Sequence, residues 1–340
     1  MALLLTTTTI TKRRLLSSKI LIDHNSLSLS SSSLINRFHA SSRCTYSTTT
    51  PITKSGSDEE KQVLFHLDTK EQQTLPTNNK AADGEVIIPP NIGILTLNRP
   101  NAANAFSQRM VSELRAVLDQ IRFQENDVRC VVLTSSSSKV FSAGADLKER
   151  SSMTQDEAGD FVSQLRGTFD DIANLPMPVV AAIEGVAVGG GLEMALAADI
   201  RVAGSLARFG LPETSLAIIP GAGGTQRLPR LIGTARAKEL IFTGRRIDAD
   251  TALQYGLIQH KVKAGISLPI ALSIAQEIAK NGPLAIRAAK QAIDVGMEAS
   301  DLSEGMSIER ECYSTIIPTN DRLEGLNAFR EGRTAVYTGK

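Results

Sequence analysis

The sequence predicts an α/β fold whose sheets are covered on both faces. Two short runs, residues 130–133 and Val179–Ile183, are wholly apolar without polar alternation, as strands buried on both sides require. Amphipathic helical segments alternate with such strands, the rhythm of layered α/β architecture. After Thr225 the chain turns mostly helical.

In chain order, residues 85–88 and Ile92–Leu97 read as two short strands joined through Pro89-Pro90-Asn91. Ser107 is placed to N-cap a helix over 108–124, with Met110, Val111, Leu114, Val117, Leu118 and Ile121 on one apolar face. Residues 130–133 form a buried strand. Thr154 and Glu157 make a capping box for a helix that turns Phe161, Leu165, Phe169 and Ile172 inward before Pro176 stops it. Val179–Ile183 is the next strand, Gly189-Gly190-Gly191 opens a helix to about Ala198, and residues 200–203 are a further strand. Helical spacing continues over 235–242, 248–255, 268–280, 283–298 and Leu302–Ile316. A helical end on an α/β body points to a surface for subunit association.

Residues 1–57 carry seven Lys/Arg against the single acid Asp23 and are rich in Ser, Thr and Leu. That is the composition of an organellar transit peptide. The arginines and the amphipathic stretch 13–22 favour the mitochondrion, its matrix being the expected location, with cleavage between Ala40 and Thr50. Residues 58–84 read as a polar linker, 85–275 as the catalytic core and 276–340 as a helical C-terminal region. Taking the +6 of the first segment from the net +1 leaves −5 on residues 58–340, so charge does not favour a nucleic-acid partner. No apolar run approaches the roughly 20 residues needed to cross a bilayer. Beyond the leader only His66, His260, Cys130 and Cys312 remain, without metal-ligand spacing, which argues against zinc and Ser-His-Asp chemistry. The two cysteines lie in apolar-patterned segments and are expected to be buried and inert.

Chemistry concentrates in three segments: Phe141-Ser142-Ala143-Gly144-Ala145-Asp146-Leu147-Lys148, Val188-Gly189-Gly190-Gly191-Leu192-Glu193, and Gly210-Leu211-Pro212-Glu213 running into Pro220-Gly221-Ala222-Gly223-Gly224. Small residues at a helix start leave backbone N–H groups open to a ligand oxygen. An N–H from the first segment opposite that of Gly190 would make a two-donor hole for an oxyanion. Glu213, in apolar company, should have a raised pKa and serve as a proton donor. The glycines at 221–224 add amides able to orient water. Each segment also has a plainer reading, as a tight turn or as a helix packed closely on a strand.

Taken together, in this order and spacing, Phe141–Glu149, Gly189–Glu193 and the run Pro220-Gly221-Ala222-Gly223-Gly224-Thr225-Gln226-Arg227-Leu228 resemble the crotonase (enoyl-CoA hydratase/isomerase) superfamily over about 85–340. The resemblance implies a spiral of ββα units with a helical C-terminal region that forms trimers or hexamers, and a coenzyme A thioester as substrate with no separate cofactor. It places the oxyanion donors at Ala145 and Gly190, the catalytic acids at Glu193 and Glu213, and a water-holding amide at Gly221. Ala143, Asp146, Leu147 and Lys148 fall, with Ala145 and Gly190, on the CoA path. Hydration of trans-2-enoyl-CoA, as in fatty-acid β-oxidation, is the activity implied. The runs Asp171-Ile172-Ala173-Asn174-Leu175-Pro176 and Ile317-Pro318-Thr319-Asn320-Asp321 are similar to a mitochondrial branch that includes 3-methylglutaconyl-CoA hydratase, the alternative. That branch also includes an RNA-binding member with a lysine-studded first helix. Here Arg109, Arg115 and Arg122 are balanced by Glu113 and Asp119, as on a solvated face.

Overall fold

The computed structural model describes residues 61–67, 74–75, 86–87, 91–123 and 127–340. The transit peptide expected over 1–57 lies outside the described residues.

Five strands run in a six-stranded sheet with a sixth at its edge: β1 (Val63–Leu67), β4 (Ile92–Leu97), β5 (Cys130–Ser135), β7 (Val179–Ile183), β9 (Ile200–Gly204) and β12 (His260–Val262), in that spatial order. All neighbours are parallel except β1, which is antiparallel to β4. Side chains alternate between two cores, as a pleated strand dictates. Leu95, Val131, Leu133, Ala181 and Ile183 enter the larger one, while Ile94, Cys130, Val132, Val180 and Ala182 enter the smaller. The larger face is covered by α1 (Gln108–Phe123) and α3 (Gln155–Ala173), the smaller by Ala271, Leu272 and Ala275 of α8 (Ser267–Ala279). Burial on both sides explains why these strands read as unbroken apolar runs.

Four shorter strands make a second sheet in the order β11 (Ile247–Asp248), β10 (Arg208–Gly210), β8 (Val186–Val188) and β6 (Val140–Ser142). Strands β6, β8 and β10 are parallel neighbours. Each follows directly on a strand of the large sheet: β5 leads to β6, β7 to β8, and β9 to β10. The chain therefore winds between two sheets, adding a ββ pair and a helix with each turn. This is the ββα spiral implied by the resemblance to the crotonase superfamily. The C-terminal ends of β6, β8 and β10 come out side by side.

The reading of 58–84 as a linker requires correction, because Val63–Leu67 is a strand registered residue by residue on Gly93–Leu97. Its flanks are polar and four of its five residues are only half-buried, so it lacks the apolar run that marks the inner strands. The two strands expected on either side of Pro89-Pro90-Asn91 are both present but in different sheets. Val86–Ile87 pairs with Thr74–Leu75, whereas Ile92–Leu97 lies between β1 and β5.

Beyond α8 come α9 (Pro283–Gly296), α10 (Leu302–Ile316) and α11 (Asn320–Glu331). The last was not read from the sequence. Cys130 and Cys312 are buried and unpaired, and burial pushes the Cys130 thiol up to about 12, an inert state.

Candidate active site

Brought together, the ends of β6, β8 and β10 carry the three segments singled out above. After β6 the chain turns through Gly144, whose φ of +88° suits glycine, and makes an isolated parallel bridge between Ala145 and Phe106. The bridge uses the Gly144 carbonyl, which accepts from Phe106 N–H, and the Asp146 N–H, which donates to Phe106 O. Backbone groups alternate in direction along a strand, so the N–H of Ala145 points to the opposite side. There lies Gly190, first residue of α4 (Gly190–Leu196), whose own N–H begins a helix and has no intrahelical acceptor. A Cβ on Gly190 would stand 3.6 Å from Ala145 N. The backbone amides of Ala145 and Gly190 thus lie close together, as the expected oxyanion pair requires. Glycine is required next door as well: a Cβ on Gly191 would overlap the Ser142 carbonyl oxygen, and one on Gly144 would lie 2.9 Å from Gly190 N.

Glu193 lies on the first turn of α4 and is 2 % exposed. Its Oε1 accepts hydrogen bonds of 2.8 Å from Ala222 N–H and 2.8 Å from Gly224 N–H. Burial raises its pKa, and these two amides together with Arg227 and Arg166 hold the rise back. The amides of the glycine loop were expected to orient water; two of them hold a carboxylate instead. Gly221 remains on the cleft wall, where its lack of a side chain admits Val162, whose Cγ1 would be 2.7 Å from a Cβ there. Its carbonyl accepts from Arg166 Nε at 2.9 Å.

Glu213 projects from a 3₁₀ turn, Pro212–Leu216, that follows β10. Its Oε2 is buried without a hydrogen-bond partner. Burial, joined by the charge of Glu193, lifts its pKa to about 7, with Arg150 pulling the other way. A Cβ on Gly189 would come 3.2 Å from Glu213 Oε1, so glycine at the helix cap leaves room for this carboxyl. One carboxyl is anchored by two amides, and the other has an unpartnered buried oxygen and a pKa lifted to about 7. Two carboxyls in unlike surroundings divide acid and base roles.

Both acids line one cleft of about 770 Å³, together with Ala143, Ala145, Leu147, Gly190 and Gly221. Asp146 and Lys148 do not line it. Asp146 is the N-cap of α2 (Leu147–Ser151), accepting from Lys148 N–H and Glu149 N–H, and pairs with Arg99 at 2.7 Å. Burial works against that carboxylate, but the Arg99 bond and the two amides outweigh it and lower its pKa. Lys148 is exposed. The cleft also holds Phe161 and Leu165, read from the sequence only as inward-facing core residues of α3, and Val162, Arg150, Arg166 and Arg246, which were not singled out. An arginine on a short helix reads as a solvated charge until the cleft is seen.

The family profile described as enoyl-CoA hydratase/isomerase matches residues 88–340. Mouse enoyl-CoA hydratase domain-containing protein 2, mitochondrial, is 51 % identical over 257 residues, covering 74 % of this chain and 86 % of the relative. Human methylglutaconyl-CoA hydratase, mitochondrial, is 49 % identical over 253 residues, covering 73 % and 74 %. The 1.8 Å crystal structure of an enoyl-CoA hydratase from Bacillus anthracis superposes with a TM-score of 0.72 at 50 % identity, covering 74 % of this chain and 97 % of that one.

Proposed function

The chain belongs to the enoyl-CoA hydratase/isomerase family, and on that premise we propose that it hydrates trans-2-enoyl-CoA thioesters to 3-hydroxyacyl-CoA products, a step of fatty-acid β-oxidation. The observation that carries this reading is the pair of unlike carboxyls, Glu193 and Glu213, facing two convergent amides in one cleft. The thioester oxygen would lie between the N–H groups of Ala145 and Gly190, which draws electron density from the conjugated double bond. Glu193 takes a proton from water as the water oxygen bonds to C3. Glu213 delivers a proton to C2, adding water syn across the bond. The amide of Gly221 holds that water, and no cofactor beyond the CoA carried by the substrate is required. In two of the three arginines of α1 the charge is already engaged, Arg109 with Glu113 at 2.8 Å and Arg122 with Asp171 at 3.4 Å, which supports a small-molecule substrate over RNA. Among the described residues no helix is long and apolar enough to cross a membrane. Location in the mitochondrial matrix and assembly as a homotrimer or hexamer complete the reading; the mitochondrial names of two relatives support the first.

The test is hydration of crotonyl-CoA by protein lacking residues 1–57, beside Glu193→Gln and Glu213→Gln. Each substitution keeps the shape and removes the titrating group, and each is expected to lower kcat by about 10²–10⁴. Full activity in either variant would overturn the two-acid mechanism. The name of the human relative supplies a second acyl group, 3-methylglutaconyl, for the same assay.

A further inference from the structure

Glu193 is held by the glycine loop 220–224, and that loop is held in turn. Three of its five residues are glycine, so its own sequence does not fix the direction of its peptide groups. The N–H groups of Ala222 and Gly224 point to Glu193 Oε1, each at 2.8 Å. A Cβ on Gly224 would stand 2.9 Å from that oxygen, so a larger residue cannot stiffen the loop there. The fixing groups come from outside it. Arg166 of α3 donates from Nε to the Gly221 carbonyl at 2.9 Å. Arg227 of α5 (Gly224–Ile232) donates from Nη1 to the Ala222 carbonyl at 3.3 Å and pairs with Asp170, one turn beyond Arg166 on α3.

The two arginines act on different peptide groups. A trans peptide is planar, with its C=O and N–H pointing in opposite directions. The Gly221 carbonyl and the Ala222 N–H belong to one such group, so Arg166 grips it from one side and Glu193 from the other. Arg227 grips the next group, whose N–H is that of Gly223 and is not one of the two that reach Glu193. If the Gly221–Ala222 group turned over, its carbonyl oxygen would face the Glu193 carboxylate and the Ala222 bond would be lost. Arg166 opposes that turn, because turning would break its Nε bond. A cation on the carbonyl also polarises the group and strengthens donation from its N–H. Charge works in the same direction: burial raises the Glu193 pKa, and the Gly224 and Ala222 amides, Arg227 and Arg166 oppose the rise. The other charged groups lining the cleft are Glu213, Arg150 and Arg246.

We propose that Arg166 is a positioning residue: by locking the Gly221–Ala222 peptide with its N–H toward Glu193, it keeps that carboxylate in place to take the proton of the attacking water. This assignment rests on the hydratase reading for the role of Glu193, and the lock itself is measured without turnover.

Hydrogen exchange of the Ala222 amide in ligand-free protein is compared for the unaltered chain, Arg166→Met and Arg166→Lys. Beside it are measured kcat for crotonyl-CoA across the pH range and affinity for the saturated butyryl-CoA. Arg166→Met should speed exchange at Ala222 about tenfold or more and lower kcat by about 10–100-fold. With a cation gone, Glu193 keeps its proton to higher pH. The acid limb of the profile should therefore move up, while the alkaline limb, set by Glu213, stays. Arg166→Lys should restore part of each effect, because an ammonium keeps the charge and a donor without the guanidinium geometry. Butyryl-CoA affinity should be unchanged. Unchanged exchange at Ala222 or an unmoved acid limb in Arg166→Met would overturn the assignment. A loss of butyryl-CoA affinity as large as the loss of kcat would overturn it too, making Arg166 a substrate contact. Absence of crotonyl-CoA turnover in the unaltered protein would instead sink the hydratase reading, and exchange at Ala222 would still decide the lock.

Discussion

Glu213 carries the pH dependence of this site. On the proposed mechanism hydration needs its acid form, and its pKa is lifted to about 7 by burial and the nearby Glu193. The kcat for crotonyl-CoA should therefore fall as the pH rises above about 7, and a pH–rate profile from 5 to 9 checks it. Arg150 pulls that pKa down, so Arg150→Met should move the alkaline limb to higher pH. The same group sets a stability dependence. Its folded-state pKa is raised above the ordinary 4.5, so the acid form favours folding. That contribution is fully present below about 4.5 and is lost as the pH rises through about 7. Glu213→Gln removes the titration and should make the protein more stable than the parent at pH 8, with little difference at pH 4.5. Allowing for partial contact with solvent, the gain is roughly 1–2 kcal/mol, read from urea midpoints at the two pH values. A gain independent of pH would exclude a buried, ionising Glu213.

At the scale of elements, catalysis depends on how closely α4 approaches β6. Gly191→Ala would drive a Cβ into the Ser142 carbonyl oxygen, and backbone has no rotamer by which to yield. The helix must lift, taking Gly190 away from Ala145. We expect a stability loss of about 1–3 kcal/mol and a larger fall in kcat than in affinity for saturated acyl-CoA; an intact kcat would show that the oxyanion pair tolerates the shift. Much of this was legible beforehand, since glycines beside acids mark close backbone approach, and the capping box of α3 and the apolar face of α1 are local signals that survived into the fold. The unread elements had no such signal. Strands β6, β8 and β10 are three residues long, too short to display a period. Strand β1 is an edge strand with a half-buried pattern, and α11 is polar along most of its length. The convergence of three distant segments is a property of parallel strand order, which no single segment encodes. For the same reason Ala222 and Gly224 looked like ligand-facing amides until their partner, Glu193, stood beside them.

In the molecule as a whole, the helical end is where burial is incomplete. Helix α9 has no fully buried residue, α10 only Cys312, and α11 only Asp321 and Ala328. Helices α9 and α10 pack chiefly on each other, brought together where Gly305 meets Gly296, with the Gly296 oxygen 3.3 Å from a Cβ placed on Gly305. A cavity of about 680 Å³ lies between α9 and the core, lined by Leu196 and Ile200 on one side and Ile286 and Ile293 on the other. Met297 and Leu302 are each 81 % exposed and Phe329 is 88 % exposed. Large apolar side chains gathered on one helical region mark an association surface rather than a solvated one. Each Leu or Phe side chain that passes from water into an interface contributes about 1.5–3 kcal/mol, and closed symmetric assembly repeats that gain at every contact. The protein without residues 1–57 should therefore sediment as a trimer or hexamer. Leu302→Asp together with Phe329→Asp should shift the mass toward the monomer without unfolding it, because neither side chain contributes to the two cores. Sedimentation velocity of the parent and the double variant decides the matter: a parent that sediments as a monomer at micromolar concentration would remove the assembly, and an unchanged mass in the variant would move the interface elsewhere.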